Sequence, residues 1–433
     1  MAVVGGADAA PIPLSTADTR RRSFAGAALL VMLGPGVMVM LADTDAGSVI
    51  TAAQSGARFR YALILPLVLL IPALYLVQEM TARLGLVTGE GHGALIRKSF
   101  GSRWALLSAG TLFVACVGAL VTEFAGVAGV GSLVGIPRLV STGAAAVALI
   151  ALVLLGRYRR VEHVGIAVGA LELLFLPAAL FAHPHLGAIL HDLGNPVHAT
   201  SGFATLLAAN VGAVIMPWMI FYQQEAVIAK DRRGLDLRAA LRSSRFDTAA
   251  GSVITQLVMV AVVVATGATL GVAHRGIALN SVGAIASALT PFLGHDRAVV
   301  LFGLGMVGAA VVAALVVTLA GAWGISEVLG WRHSLNDSPA RAAGFYSLAV
   351  VGIVVGVVLV DIVPNLVNLT IHVEVLNACL LPVILGFLVV LERRAIPPGL
   401  RMKGARRTAT YACVAVVIAF GVVTAAVVLL RLA

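Results

Sequence analysis

Ala42-Asp43-Thr44-Asp45-Ala46-Gly47-Ser48 and Ala213-Val214-Ile215-Met216-Pro217-Trp218 each interrupt a stretch otherwise apolar enough to span a bilayer. A carboxylate at bilayer depth costs about 2.5–3.5 kcal/mol on insertion scales, and Gly or Pro there loosens or breaks the helix. Two broken helices at corresponding places in the halves of a membrane protein mark a substrate site near the midplane. The pair predicts a helical membrane transporter whose substrate is to be read from the side chains at the breaks.

Composition agrees. The chain has 433 residues, 60% of them hydrophobic and 12% charged, with a mean hydropathy of +1.01; a soluble domain carries roughly 25% charged residues. Apolar runs fall at about 24–54, 61–83, 104–133, 138–156, 161–182, 203–229, 247–273, 297–330, 343–362, 365–392 and 408–430, which predicts eleven spans. With the N-terminus inside, all but Arg58, Arg60, Arg138, Arg275, Arg297 and Arg431 of the 30 Lys and Arg residues lie on the inner side. That bias places the N-terminus in the cytoplasm and the C-terminus outside. The net charge of +10 is then loop charge that orients the spans, with no nucleic-acid partner implied. Residues 1–23 read as a cytoplasmic tail, and Arg20-Arg21-Arg22 before the first run mark an uncleaved first helix. Cys116, Cys379 and Cys413 sit singly in apolar runs, which argues against a disulfide framework. The outer gap 183–200, with His183, His185, His191 and His198, reads as a polar loop in preference to a metal-collecting one. The basic gap 229–246 reads as a partly helical connector near anionic lipid. The stretch Asp43–Thr51 recurs as Asp247–Thr255 with one substitution, Ala249 for Asp45; it falls in the seventh run and reads as coincidence.

The breaks have their own chemistry. Pro217 lacks an amide hydrogen and clashes with the carbonyl four residues back, so the Ala213 oxygen is left without its helical partner. Met216 lies three residues after Ala213 and offers a thioether, or simply fills a gap in the core. In the first break Ala42, Asp45 and Ser48 fall at i, i+3 and i+6, on one face, with Gly47 permitting non-helical backbone. Asp45 reads either as a ligand or as a helix cap. Asp43 lies about 200° around a helix from Asp45 and lines the same path only if the segment unwinds. Carboxylate, hydroxyl, carbonyl oxygens and thioether together describe a divalent cation site, and sulfur favours a softer transition metal over Mg²⁺ or Ca²⁺.

At these residues the chain resembles the Nramp (natural resistance-associated macrophage protein) family of divalent metal ion transporters, as a divergent, bacterial-like member. The family pattern Gly-Pro-Gly followed by Asp-Pro-Gly-Asn is similar to Gly34-Pro35-Gly36 and Asp45-Ala46-Gly47-Ser48 here. Leu84-Gly85-Leu86-Val87-Thr88-Gly89, Val121-Thr122-Glu123 and the Ala-x-x-Met-Pro at 213–217 follow in family order. The resemblance implies an all-α polytopic membrane protein of the LeuT-type fold. Two inverted five-helix repeats, about 24–182 and 203–392, would be followed by an extra helix at about 408–430, with helices 1 and 6 interrupted. It also implies that Asp45, Ser48, Met216 and Ala213 hold the metal, with Ala42 as a further carbonyl candidate, and that Glu123 begins a proton route. Asp43 and Trp218 are further candidates for proton path or gating. The departures are Ala46 for the family's Pro, Ser48 for its Asn, Trp218 for its His, Gly126 for a further acid of span 3, and a ninth span whose only nearby basic residue is Arg341. These put ordinary proton coupling in doubt.

The expectation is a carrier, not an enzyme, in the plasma (inner) membrane. It would take Mn²⁺ or Fe²⁺ inward by alternating access, with the proton as candidate co-substrate and no bound cofactor. The alternatives are an uncoupled Mg²⁺ transporter of the same fold, an organic-solute carrier of the LeuT-type fold, or a metal sensor that does not transport. No His-Glu-x-x-His helix points to a zinc hydrolase. Glu79, Glu172, Glu327 and Glu374 lie in apolar runs without an assigned role, and Asn368, His372, Glu374 and Asn377 make span 10 a candidate third wall of the path.

Overall fold

Pro217 and Asp45 punctuate the chain where the sequence predicts. The structure, a computed structural model, describes residues 34–194, 200–230, 236–273, 283, 285, 290 and 294–432. The tail 1–23, the start of the first apolar run and His198 lie outside the described residues. The helices are α1 (Pro35–Asp43), α2 (Ala46–Phe59), α3 (Ile64–Thr88), α4 (His92–Phe100), α5 (Ser102–Leu133), α6 (Arg138–Leu155) and α7 (Tyr158–Gly169). A 3-10 turn (Ala170–Leu174) joins α7 to α8 (Phe175–Phe181). Then come α9 (Leu186–Gly194), α10 (Ser201–Val214), α11 (Pro217–Ala229), α12 (Leu237–Ala273), α13 (His295–Leu329), α14 (Ala343–Ile362), α15 (Leu366–Ala395) and α16 (Gly404–Leu432). Among the described residues ten helical stretches are long and apolar enough to cross a membrane, and α1 with α2, bent by 46°, makes up an eleventh.

Three boundaries differ from the sequence reading. The first span runs on to Phe59, where Arg60 turns the chain with φ 53 and its N–H closes on the Gly56 carbonyl. The seventh begins at Leu237, because Asp236 accepts from the Ala239 amide at 2.5 Å and draws the basic connector into the helix. The fifth is split by the 3-10 turn that carries Glu172.

The broken spans form the centre. Of the apolar window in the sixth span 78% is buried, against 22% in α6 and in α16, which present Leu139, Val147, Leu155, Val416 and Leu430 outward as a lipid-facing surface. Around the centre α5, α12, α13 and α15 form the wall.

One device fixes α12 to the first span. The Asp247 carboxylate accepts from the amides of Gly34 (3.0 Å), Gly36 (2.8 Å) and Val37 (3.1 Å), the unpaired donors at the start of α1. A Cβ on Gly36 would stand 2.7 Å from the Asp247 Oδ2. Gly-Pro-Gly is therefore an anion-accepting helix start, with Pro35 at the position that needs no amide. The recurrent stretches lie against each other: Thr44 meets Thr255 at 2.5 Å, and Thr255 Oγ1 donates to Asp43 Oδ2 at 3.3 Å.

Candidate metal centre

Each break follows from local chemistry. At the second, Ile215 and Met216 are extended (φ −126, ψ 93; φ −99, ψ 144), as residues ahead of a proline tend to be. Pro217 starts α11, so the Ala213 oxygen has no amide to receive. The first break needs no proline. Thr44 leaves helical geometry (φ −80, ψ 51), and Asp45 becomes the N-cap of α2, its Oδ1 accepting from Ser48 N at 2.6 Å. The cap reading of Asp45 is correct, and it uses one oxygen only: Oδ2 is buried and unpartnered.

The breaks meet at Ser48. Its hydroxyl lies 2.9 Å from the Asp43 carbonyl oxygen and 3.2 Å from that of Ala213. The carbonyl that joins Ser48 from the first span is thus Asp43's. Ala42 lies one residue back, fully buried within α1. The 46° bend between α1 and α2 ends the common helical face that Ala42, Asp45 and Ser48 would share on an unbroken helix. Met216 is fully buried as the cap residue of α11. Trp218 is also fully buried, with its indole N–H unpartnered.

Acidic groups converge on the first break. Glu123 Oε2 accepts from the Ala46 amide at 3.0 Å, and its carboxyl neighbours that of Asp45. Asp43 accepts from Thr255 Oγ1 at 3.3 Å through Oδ2, leaving Oδ1 unpartnered. Glu374, from α15, accepts from Asn377 at 3.1 Å and leaves Oε1 unpartnered. Gly47 makes room for it, since a Cβ there would overlap Glu374 Oε1. Glu172, on the 3-10 turn, is buried beside Thr44 and Asp43. The hydrogen-bond partners of the first four of these carboxyl groups are amides and hydroxyls, both oxygens of Glu172 are unpartnered, and no Lys or Arg among the described residues bonds any of the five.

Span 10 divides by face. Glu374 and Asn377 turn inward, whereas Asn368 and His372, one turn apart on the opposite side, are exposed. Arg341 is exposed as well. Gly126 faces Ala46, and a Cβ on it would come within 2.5 Å of the Ala46 methyl, so no acid fits there beside this α2 start. Glu79 is held by Arg83 (2.7 Å), Arg245 (3.1 Å) and Arg406 and belongs to the packing of α3, α12 and α16.

Residues 36–426 match the family described as Natural resistance-associated macrophage protein-like. The chain belongs to the Nramp-like family. Among its relatives, a divalent metal cation transporter MntH of Yersinia pestis is 31% identical over 316 residues, 70% of this chain and 74% of the relative. A manganese transporter of Eremococcus coleocola superposes with a TM-score of 0.72 at 18% identity, covering 96% of this chain and 91% of that one. Mhp1, a nucleobase-cation-symport-1 family transporter, gives 0.59 at 14% identity, over 92% and 91%. This Nramp-like protein thus has the LeuT-type fold that its two broken helices imply, with inverted five-helix repeats and an eleventh helix, and it is an integral membrane protein.

Proposed function

We propose that this Nramp-like protein carries divalent transition metal ions, Mn²⁺ or Fe²⁺, into the cytoplasm by alternating access. It acts as a transporter and not as an enzyme, in the plasma (inner) membrane with its N-terminus inside. The observation that carries the reading is the set of five buried carboxyl groups around an interrupted helix, with no cationic side chain among the described residues bonded to them. Buried negative charge of this density requires a cation, whether metal or proton. Asp45 Oδ2, the Ser48 hydroxyl and the Ala213 carbonyl supply hard oxygen, and Met216 supplies the soft donor. Glu374 joins them as a ligand candidate from the third wall. The relatives that bear the names of metal cation and manganese transporters support the same cargo.

Glu374 also favours one alternative, Mg²⁺ carried by the same fold, since it enriches the site in oxygen. Selectivity decides between them. Uptake into proteoliposomes should be strong for Mn²⁺ and Cd²⁺ and weak for Mg²⁺ and Ca²⁺, and Met216→Ala should cut Cd²⁺ uptake most. Asp45→Asn keeps an oxygen to cap α2 but removes the charge, so it should fold and abolish uptake. Unimpaired Mn²⁺ uptake by that variant would remove Asp45 from the site, and Mg²⁺ uptake equal to Mn²⁺ would favour the alternative.

A further inference from the structure

A second acidic constellation lies away from the breaks. Glu225 at the end of α11, Glu327 at the end of α13 and His333 in the loop beyond it bring two carboxylate oxygens and an imidazole nitrogen within 4.8 Å of one another. It is the one such three-residue group of His, Cys, Asp or Glu among the described residues. Both glutamates are buried. Two carboxylates this close repel unless a cation or a proton sits between them.

The surroundings are built for a cation. Glu327 Oε2 is fixed by the amides of Gly93 (2.7 Å) and Ala94 (3.2 Å) at the start of α4, while Oε1 is unpartnered on a residue only 4% exposed. His333 Nδ1 lies 2.8 Å from the Trp331 carbonyl oxygen, which can only accept. Nδ1 therefore donates there, which leaves Nε2 as the nitrogen a metal would use, the arrangement that orients a metal-ligating imidazole. Trp323 Nε1 pins the loop by donating to the His333 carbonyl at 2.8 Å. Gly91 leaves the centre open, for a Cβ on it would overlap both Glu225 and Glu327. A cavity of about 500 Å³ is lined by Glu225, Trp331, Arg332, His333 and Asp337.

We infer that Glu225, Glu327 and His333 form a second binding site for a divalent transition metal cation, at the cytoplasmic mouth of the path. Two carboxylates with one imidazole suit such an ion better than Mg²⁺ or Ca²⁺, which take oxygen throughout. The inference rests on the carrier reading for its cargo, but its ligands are separate from those of the central site. An ion leaving the breaks towards the cytoplasm would pause here.

The nitrogen ligand distinguishes the two sites, since the central set offers only oxygen and sulfur. Full-length protein in detergent is loaded with Mn²⁺ and studied by electron spin echo envelope modulation and by equilibrium binding. The wild type should bind two ions per chain, and Asp45→Ala one, with ¹⁴N modulation from the bound Mn²⁺. His333→Ala should lose that modulation and weaken the second ion at least tenfold, and Glu225→Gln should weaken it likewise. His333 lies in a part-exposed loop, so its variant tests the site even if Glu225→Gln misfolds. A single ion lost in Asp45→Ala and unaffected by His333→Ala would leave the carrier reading intact and overturn the mouth site, with only a shared proton between the glutamates. ¹⁴N modulation that persists in His333→Ala would overturn it too. A single ion that survives Asp45→Ala and is lost in His333→Ala would uphold the mouth site and overturn the central one.

Discussion

Ser48 Oγ lies 3.2 Å from the carbonyl oxygen of Ala213, so the two interrupted spans meet through one hydroxyl. That hydroxyl has a single proton and two carbonyl acceptors, Asp43's and Ala213's, so one oxygen always has unspent acceptor capacity. Removing the hydroxyl leaves both buried oxygens without this donor and takes a candidate ligand away. Ser48→Ala should weaken Mn²⁺ binding about tenfold, corresponding to about 1.4 kcal/mol. Binding titrations on purified protein check this, and an unchanged affinity would make Ser48 a structural bridge alone.

Gly47 and Glu374 are coupled by volume. A methyl at Gly47 falls on Glu374 Oε1, which lies between α2 and α15 in a fully buried setting. Gly47→Ala should therefore lower the melting temperature and reduce metal uptake at least tenfold. Adding Glu374→Ala should restore much of the stability without restoring uptake, with a coupling energy of about 0.5–3 kcal/mol. Additive losses in the double variant would show that the two positions do not meet.

His92 gives the fold an acid-sensitive joint outside the spans. The ring is fully buried, its Nδ1 3.0 Å from Gln224 Oε1 and its edge against Phe221, and burial lowers its pKa from 6.5 to about 4 despite the Gln224 bond. The Gln224 amide in turn donates to the Glu90 carbonyl, which fixes Oε1 as the acceptor. Between these two pKa values the unfolded chain binds the extra proton and the folded chain does not, so stability falls as pH drops from about 6.5 to about 4 and is fully present above. Melting temperature measured across that window should decline, and His92→Gln should flatten the part of the decline that this ring causes. An identical slope in the variant would assign the acid sensitivity to other groups.

Legibility in the sequence follows range. Pro217 announces its own break, and its consequence for Ala213 is four residues away, so local rules suffice. Asp45 as cap and Ser48 as its partner are equally local. Glu123 is legible through the family pattern, and the structure sets it on the Ala46 amide. Glu374 lies against Gly47, Glu172 lies beside Thr44 and Thr255 bonds Asp43, each across spans, and spacing along one helix says nothing about such contacts. The recurrence of Asp43–Thr51 at Asp247–Thr255, which reads as coincidence in the sequence, joins two stretches that touch through Thr44 and Thr255. The gathering of Glu225, Glu327 and His333 has no sequence signal at all, since α11 and the loop after α13 meet only in the fold.

Energetics bear on the coupling question. Each elementary charge moving inward gains about 2.3 kcal/mol per 100 mV, so a divalent ion gains about 4.6 kcal/mol. That alone sustains more than roughly a thousandfold accumulation, so entry does not need a proton. On the family resemblance, Trp218, which is fully buried with an unpartnered indole N–H, and Gly126, which is packed on Ala46, would stand at titratable positions of the usual route. Arg341, the basic residue near the ninth span, is exposed. Five carboxyl groups remain, and a metal ion can replace protons on them without a relay to carry those protons inward. The expected outcome is voltage-driven metal entry with weak or absent proton cotransport. Uptake at clamped potential, with a pH dye inside the vesicles, measures both fluxes together. Internal acidification in step with metal entry, abolished by Glu123→Gln, would show instead that Glu123 passes a proton along a path built from Asp45, Asp43 and Glu172.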